Sequence, residues 1–330
     1  MRFKKSILLI WFIVCLATLL VSIGCERKQE TKSKAAAEKV EKKPVFEFAG
    51  EEIYGDPEIF STPRLQFSWR APGVKSYELW SMRLDGSDLR RVVKADLLYS
   101  KEARNFIHDP VRSPDNRYIV ISMGTSRLPE KHLIDLKTKT KTIIMSGGLI
   151  PHFTWRPDSK SVVFLSDPGM LEYFVETGEL KQSKSFKSFG QYILKDGRFA
   201  VVREDGIYYY TPDRRFIKSI KIWDPSMIEE HQYDMGFYHR ISWDGRFMVY
   251  MLQNVTYFIR LDDPKNPIWS TDEWYRSGGF GPEGKYFYYS IRRVDLNTKK
   301  EIRLFEPPCF GRDCGGVPTN TTIYNLGAAK

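Results

Sequence analysis

Short apolar segments alternate with polar turns along most of the chain, from about residue 62 to residue 306. In the clearest copy, the turn Ser113-Pro114-Asp115-Asn116-Arg117 precedes the apolar run 118–121, and further apolar runs follow at 132–136 and 141–144. Equivalent runs at 162–165, 199–202, 247–250 and 286–289 also follow turns that contain an acidic residue. Runs of four or five β-branched and aromatic residues bounded by turns are typical of strands. The pattern therefore predicts an all-β protein built from repeated units.

The spacing of the turns predicts the architecture. The acidic turn residues are Asp115, Asp158, Asp196, Asp244 and Glu283, at intervals of 43, 38, 48 and 39 residues. A period near 40 residues with four strands per unit is typical of a β-propeller. A degenerate unit at about 62–96 brings the count to six blades, and seven remain an alternative. Strand-like pieces at 45–61 and 321–324 are left over, and one of them is expected to close the ring as the missing strand of the first unit.

The same five acidic residues are expected to be structural. An aspartate at a turn accepts hydrogen bonds from backbone N–H groups two residues further on, and a following Gly or Asn tolerates positive φ. Their recurrence at every turn therefore predicts a folding role rather than a row of metal ligands.

The first 44 residues have the composition of an export signal and a tether. Residues 1–5 are basic, residues 6–24 are uncharged and strongly apolar, and the segment from Val21 to Cys25 resembles the bacterial lipobox. That resemblance implies removal of residues 1–24 and lipid attachment at Cys25; an uncleaved membrane anchor is the alternative. Either places the rest of the chain outside the cytoplasm. Glu26 favours the periplasmic face of the outer membrane where a cell has two membranes.

The charge of the chain does not indicate nucleic-acid binding. The net charge is +10, but the leader and the charged segment 25–44 account for six of those charges. The rest is spread over the predicted propeller at 45–308 and the tail at 309–330, without a clustered basic face. Residues 25–44 contain one large apolar residue, Val40, so they are expected to form a flexible linker.

Two motifs resemble the repeats of TolB-type periplasmic propellers. They are Trp155-Arg156-Pro157-Asp158-Ser159-Lys160 before a strand, and the run Leu79-Trp80-Ser81-Met82-Arg83-Leu84-Asp85-Gly86-Ser87. The resemblance covers roughly residues 62–306. It implies the fold and says little about function, because scaffolds, transporter accessories and enzymes share these repeats.

Two cysteines in the tail, Cys309 and Cys314, are expected to form a local disulfide outside the cytoplasm. A redox motif normally has two intervening residues, and a zinc site needs two more ligands, so both alternatives are less favoured. The chain has no Gly-x-Ser-x-Gly motif, which argues against a serine hydrolase.

Four polar residues lie shortly before the repeat turns: His108, His152, Gln191 and His239. Some TolB-related lyases of pectic oligosaccharides hold a metal near the channel through His and Gln, so the resemblance offers these four as metal candidates. They precede their turns by 7, 6, 5 and 5 residues. Because alternate residues of a strand point to opposite faces, this mixed register disfavours a shared site.

The sequence therefore favours a lipid-anchored propeller that binds or scaffolds envelope proteins without a cofactor. The partners expected are membrane lipid through the acyl anchor and an envelope protein, with a glycan less favoured and no nucleic acid. The alternative is a metal-dependent, carbohydrate-active enzyme that uses the channel. The aromatic runs 208–210 and 286–289 are expected to pack between blades rather than to form a sugar-binding face.

Overall fold

The computed structural model describes residues 48–99, 106–125, 128–147, 152–166, 169–184, 186, 188–225, 238–275, 278–307 and 319–324. Within these ranges, 24 strands form six four-stranded sheets, and every pairing of neighbouring strands is antiparallel. The prediction of an all-β propeller with six blades is confirmed. No helix among the described residues is long and apolar enough to cross a membrane.

The blades follow one another along the chain, and each runs from an inner to an outer strand. Blade 1 contains β1 (Arg64–Trp69), β2 (Glu78–Arg83) and β3 (Arg90–Val93), with helices α1 (Pro57–Phe60) before it and α2 (Ala95–Leu98) after it. Blade 2 contains β4 (Phe106–Arg112), β5 (Tyr118–Thr125), β6 (Leu128–Asp135) and β7 (Thr140–Ser146). Blade 3 contains β8 (Phe153–Trp155), β9 (Ser161–Ser166), β10 (Gly169–Phe174) and β11 (Leu180–Ser183).

Blades 4 to 6 repeat this order. Blade 4 contains β12 (Gly190–Ile193), β13 (Phe199–Arg203), β14 (Gly206–Tyr210) and β15 (Phe216–Lys221). Blade 5 contains β16 (His239–Ile241), β17 (Phe247–Leu252), β18 (Val255–Arg260) and β19 (Trp269–Thr271). Blade 6 contains β20 (Gly279–Phe280), β21 (Tyr286–Tyr289), β22 (Arg292–Asp295) and β23 (Glu301–Arg303).

The inner strand of blade 1 comes from the other end of the chain. Strand β24 (Thr319–Tyr324) pairs antiparallel with β1, with Leu65 opposite Ile323 and Arg64 opposite Tyr324. Of the two spare segments identified from the sequence, the tail is thus the one that completes the first blade. Within the other segment, 45–61, residues 49–52 run parallel to β3 on its outer edge, where Ala49 N–H donates to Leu89 O and Glu52 N–H donates to Arg91 O, each at 2.8 Å.

The core lies between adjacent blades. Leu79 of blade 1 packs with Ile119 and Ile121 of blade 2, and Val202 of blade 4 packs with Met248 of blade 5. Because each sheet is covered on both faces by its neighbours, middle strands such as β13 and β17 are apolar at nearly every position, and β1 is buried at all six positions although three of its residues are polar. The aromatic runs 208–210 and 286–289 also contribute to this core, since Tyr209, Phe287 and Tyr288 are buried between blades.

The turns after the inner strands have closely similar geometry. The Oδ1 atoms of Asp115, Asp158, Asp196 and Asp244 each accept a hydrogen bond from the N–H two residues on, at 3.0 to 3.1 Å. The residue that follows each acid has positive φ, namely Asn116 (64°), Ser159 (61°), Gly197 (82°), Gly245 (71°) and, after Glu283, Gly284 (66°). Glu283 itself is exposed, and its turn is closed by the backbone bond from Gly284 N–H to Gly281 O at 3.0 Å.

Candidate binding site at the end of the channel

The six inner strands end around one cavity. It has a volume of about 590 Å³, and every blade contributes to its lining through the last residues of its inner strand, such as Arg112, Trp155, Ile193, Ile241, Phe280 and Tyr324. The first-turn residues 113–115 and 157–159 line it as well, beside Lys195 and Trp243 of the corresponding turns in blades 4 and 5. The inner strands and the turns that follow them therefore meet at one concave surface at the end of the channel.

The cavity combines aromatic walls with charged groups. Phe153, Trp155, Tyr192, Trp243, Phe280 and Tyr324 provide the aromatic surface, and Trp155 donates its indole N–H to Val111 O at 3.1 Å. The cations in the lining are Arg112, Lys195 and Arg240, and the carboxylates are Asp115 and Asp158. Both carboxylates already accept hydrogen bonds within their turns. A preformed, largely apolar cavity with a few fixed polar groups is the usual form of a ligand or partner site.

Two of the four predicted channel residues come together. The rings of His152 and His239 lie 6.5 Å apart at an interplanar angle of 80°, and His152 lines the cavity. Arg240 Nη1 lies 3.4 Å from His152 Nε2 and donates to His239 O at 2.9 Å. The hydroxyl of Tyr192 also donates to His239 O, at 2.7 Å, and its ring packs edge-on to the His239 ring at 5.7 Å.

Both histidines are held in the neutral form. Desolvation and the nearby Arg240 guanidinium lower the pKa of His152 to about 3. Complete burial, with added repulsion from His152 and Arg240, lowers the pKa of His239 well below its ordinary value. Neither ring nitrogen of His239 has a hydrogen-bond partner among the described atoms. At neutral pH, Arg240 is therefore the cation of this cluster.

The other two predicted channel residues lie elsewhere. Gly190 and Tyr192, the neighbours of Gln191, both contact His239, so strand alternation turns the Gln191 side chain to the opposite face, towards blade 3. His108 lies on β4 opposite Ser122 and does not line the cavity. Among the described residues, no group of three His, Cys, Asp or Glu side chains is placed to hold a metal ion. Of the four predicted channel residues, only His152 and His239 are therefore brought together at the cavity.

The neutral histidines make stability sensitive to mild acid. In the unfolded chain a histidine takes up a proton near pH 6.5, whereas His152 and His239 stay unprotonated in the native state. Their contribution is fully present above pH 6.5 and is lost as the pH falls. We expect each to reduce the free energy of unfolding by about 1.4 kcal/mol per pH unit below pH 6.5.

Urea unfolding at several pH values between 7.5 and 5 checks this expectation. The double variant His152→Gln/His239→Gln should show a shallower pH dependence than the wild type, while His132, whose pKa burial also lowers, is unchanged in both proteins. Equal pH slopes in the two proteins would contradict the expected burial of neutral rings.

A buried ionic network borders the cavity and was not predicted from the sequence. Glu52 contacts Arg112 at salt-bridge distance, and their side chains are 2% and 1% exposed. Its Oε2 also accepts from the Tyr324 hydroxyl at 2.6 Å and from Ser81 Oγ at 2.7 Å. The Arg112 guanidinium lies 4.5 Å from the centre of the Tyr324 ring. The network joins the N-terminal segment, the first two blades and the closing strand.

The charge of Glu52 is maintained despite its burial. Desolvation raises the pKa of this carboxyl, but attraction to Arg112 and the hydrogen bonds from Tyr324 and Ser81 outweigh it, so the pKa lies below its ordinary value. No sequence signal identifies this pairing, since Glu52 stands in a short polar segment that belongs to no repeat.

Comparison with known proteins gives distant structural likenesses. No family model and no curated protein matches the chain. Among solved structures, a chain of the nidogen/laminin complex is similar at 10% identity and a TM-score of 0.46, over 79% of this chain and 98% of that one. An oligogalacturonate lyase in complex with manganese matches at 11% identity and a TM-score of 0.43, over 78% and 76%. The Cps50 (Swd1) β-propeller domain of Myceliophteria thermophila matches at 9% identity and a TM-score of 0.39, over 57% of this chain and 64% of that domain. The strand topology by itself defines the protein as a six-bladed β-propeller. The distant likenesses do not indicate what it does.

Proposed function

We propose that this protein is a lipid-anchored propeller of the cell envelope that binds a partner protein at the cavity where its six inner strands end. The observation that carries the proposal is this cavity of about 590 Å³, which all six blades line. Its aromatic walls offer apolar surface, and Lys195 and Arg240 offer positive charge. Aromatic and arginine side chains in a concave surface are the groups that most often anchor protein partners.

The anchor half of the proposal rests on the sequence of the leader. The basic start, the apolar core and the Val21–Cys25 segment favour acylation of Cys25, and the resemblance to TolB-type propellers agrees with a periplasmic location. The linker at 25–44 would separate the propeller from the lipid. Cys25, Cys309 and Cys314 lie outside the described residues, so the acylation and the disulfide stay predictions.

Replacement of Cys25 tests the anchor. We expect Cys25→Ala to abolish incorporation of labelled fatty acid and to leave a larger precursor, because the thiol is the acceptor of the lipid and lipidation precedes cleavage. Gel mobility and acyl labelling in cells measure both effects, and Cys15→Ala in the leader is the matched control. Acyl labelling that persists in Cys25→Ala would exclude this anchor.

Site-specific crosslinking tests the binding half. A photo-crosslinking amino acid at Lys195 or Trp243, in the lining of the cavity, should give one discrete adduct with an envelope protein in living cells. The same amino acid at Lys265 or Lys300, which are exposed and do not line the cavity, is the control and should not give that adduct. Equal adducts from all four positions, or none from the cavity, would refute the proposed site.

A further inference from the structure

The outer strand of blade 4 is an exposed edge with apolar and basic side chains. Five of the six residues of β15 are exposed, including Phe216 at 58% and Ile217 at 41%. Because β15 is the last strand of its sheet, one row of its N–H and C=O groups faces away from β14. Among the described residues, no segment pairs with that edge.

Other outer strands offer less to a partner. Strands β19 and β23 have three residues each, and β11 has four. Strand β7 is longer, but Lys141 on it donates to Leu98 O at 2.5 Å and is thereby tied to helix α2. Strand β3 is covered by residues 49–52. Within the described part of the chain, β7 and β15 are therefore the long outer strands with which no further segment pairs, and β15 is the one without the hydrogen bond to a helix that β7 makes.

The covered edge of β3 shows what kind of segment such an edge accepts. Residues 49–52 add to β3 through backbone hydrogen bonds, as when Arg91 N–H donates to Gly50 O at 3.0 Å. The side chain of Glu51 in the added segment pairs with Arg91 at 3.0 Å and with Lys94 at 2.7 Å. A basic outer strand of this protein is thus already extended by an acidic, extended segment.

The surroundings of β15 carry a stronger positive charge than those of β3. Residues 180–221 contain ten basic and four acidic residues, so this stretch of 42 residues holds more net positive charge than residues 45–330 as a whole. Two of the four acids are already paired, Asp196 with Arg198 at 2.6 Å and Asp213 with Arg215 at 2.8 Å. Lys218 and Lys221 on the strand itself are exposed. The charge of this edge therefore matches an acidic occupant.

Aromatic side chains provide a surface beside the open edge. Phe216 packs against Tyr208 and Tyr210, with ring centres 6.2 and 5.8 Å apart. The guanidinium of Arg203 lies 4.6 Å from the centre of the Tyr208 ring. Alternate side chains of an added strand would contact this surface, while its backbone paired with β15.

We propose that β15 binds an extended acidic segment of a partner protein, which adds to blade 4 as a fifth strand. This contact is independent of the channel cavity, since no residue of β15 lines that cavity. Backbone pairing would supply affinity, and Lys218 and Lys221 would select acidic over basic sequences.

A peptide titration tests the proposal with the full-length protein in nanodiscs of zwitterionic lipid. The probe is a fluorescein-labelled peptide of alternating valine and glutamate, and its comparison peptides carry lysine for glutamate or N-methylated backbone amides. The acidic peptide should bind saturably, and the other two should not. The variant Lys218→Glu/Lys221→Glu should weaken binding at least about tenfold, because the edge loses two positive charges and gains two negative ones next to an acidic peptide.

The variant Lys265→Glu/Lys300→Glu changes the net charge equally at exposed positions of blades 5 and 6, and should bind the peptide as the wild type does. Equal loss in both variants would overturn the proposal, and so would equal binding of the N-methylated peptide. A third overturning result is the absence of binding of the acidic peptide. If Lys218 and Lys221 are then protected from amine labelling only in nanodiscs that contain phosphatidylglycerol, the edge is a membrane contact.

Discussion

A chain that ends at residue 318 should fail to form a stable propeller. The truncation removes β24, the inner strand of blade 1, and uncovers β1, where Leu65 and Phe67 are completely buried. It also removes Tyr324 from the Glu52–Arg112 network. We expect a loss of more than about 5 kcal/mol, comparable with the whole stability of many domains.

Thermal unfolding followed by circular dichroism measures this effect. A chain that ends at residue 324 retains β24 and serves as the matched control. The shorter chain should unfold without a cooperative transition or at a much lower temperature than the control. Identical melting curves for the two chains would show that β24 does not close the ring.

Loss of the Glu52 carboxylate should have the next largest effect. Glu52→Ala leaves Arg112 buried without its ionic partner and removes the acceptor of the Tyr324 and Ser81 hydroxyls. Breaking a buried ion pair from one side costs about 3–5 kcal/mol, because the remaining charge stays desolvated. Urea unfolding at neutral pH should therefore show a reduction of this size in the free energy of unfolding.

The neighbouring residue provides the control for this prediction. Glu51 pairs with Arg91 and Lys94, but its side chain is 41% exposed, so Glu51→Ala should cost no more than about 1 kcal/mol. Both variants remove one negative charge from the same segment, but Glu52 is buried and accepts hydrogen bonds from Tyr324 and Ser81, whereas Glu51 is partly exposed. A similar cost for the two substitutions would contradict the role assigned to the buried network.

The sequence predicts those parts of the fold that depend on local chemistry. The structural role of the turn carboxylates can be predicted because Asp115, Asp158, Asp196 and Asp244 each accept a hydrogen bond from a backbone N–H only two residues away. Their regular spacing then predicts the number of blades, even though Glu283 replaces the aspartate in blade 6. The sequence identifies two segments, 45–61 and 321–324, that could close the ring, because strand character depends on neighbouring residues. Which of the two pairs with β1 depends on contacts between distant residues, so the sequence does not decide it.

The sequence predicts less of the candidate site, because the site depends on contacts between residues that are distant in sequence. The family resemblance and their position before the repeat turns identified His152 and His239, which do meet although their mixed register disfavoured a shared site. Gln191 lies five residues before its turn, as His239 does, so its side chain likewise faces the preceding blade and turns away from the two histidines. The pairing of Glu52 with Arg112 and Tyr324 spans up to 272 positions and follows no period, so no sequence pattern could indicate it.

Affinity measurements on the crosslinked partner test the central claim most directly. Once identified and purified, the partner should bind the double variant Lys195→Ala/Arg240→Ala at least about tenfold more weakly than the wild type, because two cationic contacts in the cavity lining are lost. The variant Lys265→Ala/Lys300→Ala, which removes the same charge at exposed positions away from the cavity, should bind as the wild type does. Equal affinity for the wild type and both variants would contradict the claim that the end of the channel is the binding site.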